Sequence, residues 1–280
     1  MSLNNPLRQY FRQPAIYVDL RSKGQFYPPG TLDLPETGKL AVYPMTAIDE
    51  ITYRTPDALF TGQATVNVIE SCIPEIKDAW AVPSVDLDTL LVAIRIASYG
   101  HDMPFVTQCP ACQHTSDQAV DLRSVLDRIR PVDYSQTVKS GDMEIHFRPM
   151  TYKNMSDNNK LQYDNQRILQ QIPQSETTTD TEKMSALSRA LKDVTELTVK
   201  ALAQSISAVK TPVALVNEPE YIEDLLKNCD SKLFNTIRDH ILNTKAQAEI
   251  QPLKLKCVEC GNEYEQMITL DMSSFFESDS

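Results

Sequence analysis

Two Cys-x-x-Cys units, Cys109–Cys112 and Cys257–Cys260, constrain this chain more than any other feature. They hold four of its six cysteines. Laid over one another, CPACQHTSDQAVDL and CVECGNEYEQMITL match without a gap, so that Val120 falls on Ile268 and Leu122 on Leu270. Each is preceded by a short alternating stretch, PFVTQ or LKLK, and followed by another. The pattern predicts strand, knuckle, strand twice over, which is the layout of two zinc-ribbon halves. Each half presents two thiolates, whereas a structural zinc ion takes four ligands at ~2.3 Å. Gly261, directly after Cys260, suits a turn position of positive φ; the first knuckle has Gln113 there. From Cys109 to Cys257 is 148 residues, so a shared ion would staple distant parts of the chain. Closing a long loop is where such a clip restricts the unfolded chain most.

Other chemistry is open to paired cysteines. A redox pair belongs at the start of a helix in a βαβ context, and neither unit sits in one. The thiols could stay unmetallated, or His114 could replace one of them. The sequence offers no open coordination position and no neighbouring general base, so the expected site is structural Zn2+ on Cys109, Cys112, Cys257 and Cys260. Cys72 in VIESCIP and Cys229 in LLKNCD lie in helix-like apolar patterns and read as small core residues.

A second repeat accompanies the knuckles. GKLAVYPMTAIDE (38–50) echoes GDMEIHFRPMTYKN (141–154), with Pro44-Met45-Thr46 answering Pro149-Met150-Thr151. In both, a strand-like alternation runs into Pro-Met-Thr and then into a helix-compatible segment. Thr46 with Asp49, and Thr151, are expected N-caps. SVDLDTLLVAIRIASYG predicts a mostly buried helix in the first half.

The expected fold is therefore α+β: two related halves, each of strand, PMT motif, helices, Cys-x-x-Cys knuckle and strand, joined by a zinc-ribbon-like four-cysteine site. Residues 1–37 read as an extended N-terminal arm, 38–135 as the first half with knuckle 109–112, and 136–280 as the second half with knuckle 257–260. QIPQSETTTDTEKMS (171–185) is polar and free of aromatics, and reads as an exposed loop.

The run from SKGQFYPPG through VYPMTAIDEITYRTPDAL and VIESCIP to DLDTLLVAIRIASYG and CPAC resembles, in order and wording, the baseplate hub protein family of T-even-type contractile-tailed phages. The resemblance covers about residues 20–125; the second half matches by its knuckle. It implies a hub subunit or hub assembly factor that acts by protein–protein contact, with other phage hub and tape-measure proteins as partners. It implies a place in the virion baseplate, reached from the host cytoplasm during assembly, and no catalysis. It leaves open a tail assembly chaperone absent from the finished virion.

Composition agrees with the negative side of that reading. The net charge of −11, from 38 acidic and 27 basic residues, argues against a general nucleic-acid binder and against docking on anionic lipid. The knuckle turns carry PA and VE, with no Arg or Lys interleaved with aromatics, which counts against a nucleic-acid-binding ribbon. MSLNNPLRQYFRQP lacks the apolar core of a signal peptide, and LLVAIRIASYG is too short to span a membrane. No Walker loop, dinucleotide fingerprint, His-Glu-x-x-His or nucleophile–base ordering is present, so no small-molecule substrate is expected. His101, His114, His146 and His240 are scattered and read as surface or strand-face residues. The expected contact elements are the arm around Phe26 and Tyr27 and the 171–185 loop.

Overall fold

The computed structural model describes residues 6–53, 61–171, 180–248 and 250–266. Two compact units result: Met1–Ala81, Val85–Pro131 and Ala248–Ser280 group into the first, Val82–Ser84 and Val132–Gln247 into the second. Helices and small antiparallel sheets occur together, as the sequence predicts. Among the described residues no helix is long and apolar enough to cross a membrane.

In the first unit, β1 (Ile16–Asp19) pairs antiparallel with β2 (Lys39–Val42), Ile16 opposite Val42 and Asp19 opposite Lys39. Alternation sends Val18, Leu40 and Val42 inward, and all three are buried. Helices follow among the described residues: α1 (Ala47–Tyr53), α2 (Gln63–Cys72) and α3 (Ser84–Tyr99). The expected buried helix is α3, in which Leu90, Leu91, Val92, Ala93 and Ile94 are at most 1% exposed. A helix apolar on all sides is stable only inside a core. Cys72 is fully buried, as its pattern implies.

The segment read as an extended arm is built into this unit. Besides contributing β1, it anchors through Arg12, which donates to the carbonyls of Pro44 and Ser71, both at 2.6 Å, and lies 3.4 Å from Asp49. Further along, Ser22 donates its backbone N–H to Asp86 Oδ1 at 2.8 Å and its hydroxyl to Asp86 Oδ2. Burial raises the Asp86 carboxyl pKa against these bonds, and it raises that of Tyr27, whose hydroxyl faces Asp86. Tyr27 is thus half-buried against a core carboxylate, whereas Phe26 stays exposed. The strand escapes a sequence reading because IYVD is only four residues long and stands between Pro14 and the turn at Gly24.

The second unit is built on a four-stranded antiparallel sheet of β5 (Val138–Ser140), β6 (Met143–Phe147), β7 (Ile206–Lys210) and β8 (Leu215–Val216), in that order. Between β6 and β7 run α5 (Tyr152–Gln171) and α6 (Asp180–Gln204), α4 (Leu122–Arg128) having closed the first unit's central segment. After the sheet come α7 (Pro219–Asn228) and α8 (Ser231–Ala248). Ile145, Phe147, Ile206 and Val209 from the sheet form one core with Val199, Leu202, Ile222, Leu226 and Ile237 from the helices. Cys229 packs at its edge. Val82–Ser84 join this unit by backbone bonds: Ser84 N–H donates to Met150 and Tyr152 N–H to Val82, both at 2.8 Å.

Two sequence boundaries shift. Of the loop expected at 171–185, Gln171 ends α5 and residues 180–185 begin α6; 172–179 lie outside the described residues. The division into compact units also differs from the sequence halves, because Ala248–Ser280 groups with the first unit.

The two Pro-Met-Thr junctions are alike in detail. Thr46 donates N–H and Oγ1–H to Asp49 Oδ2 at 2.7 and 2.8 Å, and Asp49 N–H returns to Thr46 Oγ1 at 3.2 Å. Thr151 donates N–H and Oγ1–H to Asn154 Oδ1 at 3.2 and 3.0 Å, and Asn154 N–H returns to Thr151 Oγ1 at 3.2 Å. Both are reciprocal caps that satisfy donors at a helix start. The sheets leading into them differ, β2 lying in a two-stranded ladder and β6 inside the four-stranded sheet.

Candidate metal centre

Four short strands position the cysteines, all within the first unit. β3 (Asp102–Gln108) pairs with β4 (Thr115–Asp121), Met103 opposite Val120 and Gln108 opposite Thr115. β9 (Leu253–Lys256) pairs with β10 (Glu263–Gln266), Leu253 opposite Gln266 and Lys256 opposite Glu263. Both ladders end in the predicted knuckles, and the turns are the same. Cys109 N–H donates to His114 at 3.0 Å and Gln113 N–H to Cys109 at 2.8 Å. Cys257 N–H donates to Asn262 at 2.9 Å and Gly261 N–H to Cys257 at 3.0 Å.

The turns aim all four thiols at one point, with every Sγ within 4.8 Å of the others. Cys109 and Cys260 sulfurs are 3.7 Å apart, those of Cys112 and Cys257 3.6 Å. Tetrahedral zinc with ~2.3 Å bonds holds its sulfurs ~3.8 Å from one another, close to the spacing of these two pairs. Cys109 and Cys257 are buried, while Cys112 and Cys260 form the exposed rim. Among the described residues this is the one group of three or more His, Cys, Asp or Glu side chains placed to hold a metal. His114 contributes its carbonyl to the turn, and the four thiols complete the set without it.

Electrostatics in the cluster pull neighbouring thiols apart. The backbone N–H groups of Cys112 and, more weakly, Ala111 donate to the Cys109 sulfur and bring its pKa down to about 6, with burial opposing. At Cys112 the His114 N–H lowers the pKa, but the Cys260 thiol, burial and the thiols of Cys257 and Cys109 together raise it to about 12. Four thiols this close cannot all ionise unaided. A divalent cation removes the conflict, because a coordinating thiol gives up its proton outright.

Among the described residues the two hairpins share no backbone ladder; each is its own two-stranded sheet. Side chains join them. Buried Thr107 lies with its Oγ1 3.2 Å from the Tyr264 hydroxyl and 3.5 Å from Gln266 Oε1, and Asn262 Nδ2 is 4.0 Å from Cys109 Sγ. Sequence reasoning passed over Thr107 and Tyr264, although alternation places Thr107 on the same inward face as Cys109. Among the described residues of the second hairpin segment, Ile250 and Leu253 are buried aliphatics. Burying two such side chains contributes roughly 1.5–3 kcal/mol each. Binding at a structural zinc site contributes about 10–16 kcal/mol at neutral pH. By these magnitudes a metal would dominate the attachment.

The histidines do not converge. His240 stacks on Phe147 with ring centroids 4.2 Å apart, and His101 Nε2 lies 3.5 Å from Asp102 Oδ2.

A family model described as "T4 bacteriophage base plate protein" matches residues 31–277. The chain belongs to this family. The match takes in both knuckles and both Pro-Met-Thr junctions, well beyond the stretch on which the sequence resemblance rests. Neither a curated protein nor a solved structure matches the chain. Membership in the T4 base plate family supports a structural role in the phage baseplate, among other phage structural proteins. The cysteine cluster adds a site compatible with metal.

Proposed function

We propose that this T4-type base plate protein is a structural component of the hub region of a contractile phage tail, working by protein–protein contact rather than by catalysis. The observation that carries the reading is the family match along 31–277. Its partners are other hub and tape-measure proteins, met in the host cytoplasm during assembly and retained in the virion baseplate. Cys109, Cys112, Cys257 and Cys260 hold a structural Zn2+ that ties the two knuckles together, a role supported by the sulfur spacing. With four thiolates the coordination shell is closed, as in structural rather than catalytic zinc sites.

We further propose that the chain arose from two related halves. Support comes from the twin reciprocal caps at Thr46 and Thr151 and from the matching knuckle turns.

The test is a phage whose copy of this chain carries an affinity tag. Capture from tail precursors is expected to bring hub and tape-measure proteins, and mass spectrometry of purified virions is expected to find the chain. Its presence in precursors but absence from virions would reassign it as an assembly chaperone. Infectious tails made without the chain would overturn the baseplate role.

A further inference from the structure

We infer that the metal acts as a latch that docks the C-terminal hairpin, β9–β10, onto the first unit, so that this unit is complete only in the metal-bound chain. The inference rests on the proposed metal reading of the four-thiol site. Three features carry it. The second unit is inserted into the first between Pro131 and Ala248, so the chain must return across the whole insertion to finish the first unit. What returns is a two-stranded hairpin with no ladder to β3–β4, and an isolated hairpin of this length is marginal in water. Among the described residues, side-chain polar joints between the hairpins run from Thr107 to Tyr264 and Gln266 and from Asn262 to the Cys109 sulfur.

Of the four thiols, Cys109 and Cys112 belong to the hairpin already held by the central segment, and Cys257 and Cys260 to the returning one. Each sulfur of one knuckle sits beside one of the other, 109 by 260 and 112 by 257, so a shared ion bridges the hairpins directly. Without it the thiols gain nothing from proximity, and among the described residues the returning hairpin is held by side-chain contacts and not by a shared ladder. The first hairpin differs, because β4 runs straight into α4, where Leu122 and Val125 are fully buried. The second unit keeps its own core of sheet and helix residues and has no thiol in the cluster. Metal loss is therefore expected to free β9–β10 selectively.

Hydrogen exchange followed by mass spectrometry on the full chain tests this, comparing zinc-loaded protein with protein stripped by a zinc chelator under reductant. Metal content is measured on both samples. The expected result is exchange of the 253–266 amides at least about tenfold faster in the stripped chain, little change in β5–β8, and recovery when zinc is returned. Unchanged 253–266 protection in a chain shown to have lost its metal would overturn the latch while leaving the metal site intact. Equal loss of protection in β5–β8 would overturn the selectivity. Failure to bind zinc or cobalt at all, with no sulfur-to-cobalt charge-transfer band, would overturn the metal reading itself.

Discussion

Gln113 and Gly261 hold the same place in two separate turns. Gln113 has φ 59° and Gly261 φ 69°, and each donates its N–H to the carbonyl of the first cysteine of its knuckle. The turn requires the left-handed region, which glycine enters freely and glutamine at a cost of about 1 kcal/mol or more. The knuckle geometry therefore outweighs the residue's own preference at 113. Gln113→Gly is expected to raise the stability of the metal-loaded chain by up to about 1 kcal/mol, and Gly261→Ala to lower it by about as much. Denaturant midpoints measured side by side check both. No change at either position would mean that these turns are not held as described.

Metal content gives a second check. Purified chain is expected to carry about one zinc for its four thiolates. Cys257→Ser removes a buried ligand and is expected to lower zinc content and thermal midpoint together. Full zinc occupancy in that variant, read by elemental analysis, would contradict the assigned ligand set.

The twin caps predict twin costs. Thr46→Ala and Thr151→Ala each remove a hydroxyl that accepts a helix N–H at 3.2 Å. Losses of about 0.5–2 kcal/mol are expected for each. Chemical denaturation of the two variants compares them directly, and a loss at only one site would show that the junctions are not energetically equivalent.

Acid is expected to weaken the second unit through His240. Partial burial against Phe147 lowers the His240 pKa, so the unfolded chain binds this proton more readily than the folded one. The stability this contributes is present above the ordinary histidine value of ~6.5 and is lost as pH falls through it toward the lower folded value. His240→Phe keeps an aromatic ring against Phe147 and removes the proton. Urea midpoints at mildly basic and mildly acidic pH are expected to differ less in that variant than in the parent.

Deletion of residues 1–30 tests the placement of the N-terminal segment. It removes β1, the Arg12 anchor and the Ser22 donors to Asp86. A buried carboxylate stripped of its donors costs about 1–3 kcal/mol or more. The truncated chain is expected to lose thermal stability even when loaded with zinc, whereas a free arm could be cut away without effect.

Local order is what the sequence determined by itself. The knuckles at 109–112 and 257–260, the caps at Thr46 and Thr151 and the buried helix around Leu90–Ile94 each depend on residues a few positions apart. Thiol spacing, a reciprocal threonine bond and unbroken apolarity are legible at that range. Gln113 shows the limit even there, because a turn closed by backbone bonds can impose positive φ on a residue that does not ask for it. Tertiary structure alone decided which distant segments meet. Nothing near Ser22 announces Asp86, 64 residues away, as the acceptor of its N–H. Nothing in LKLK states that the strand rejoins the first unit after an insertion running to Gln247. Those choices come from which apolar faces bury together and which polar groups must then find partners out of water. That balance is struck over the whole unit at once, so no single stretch of the chain records it.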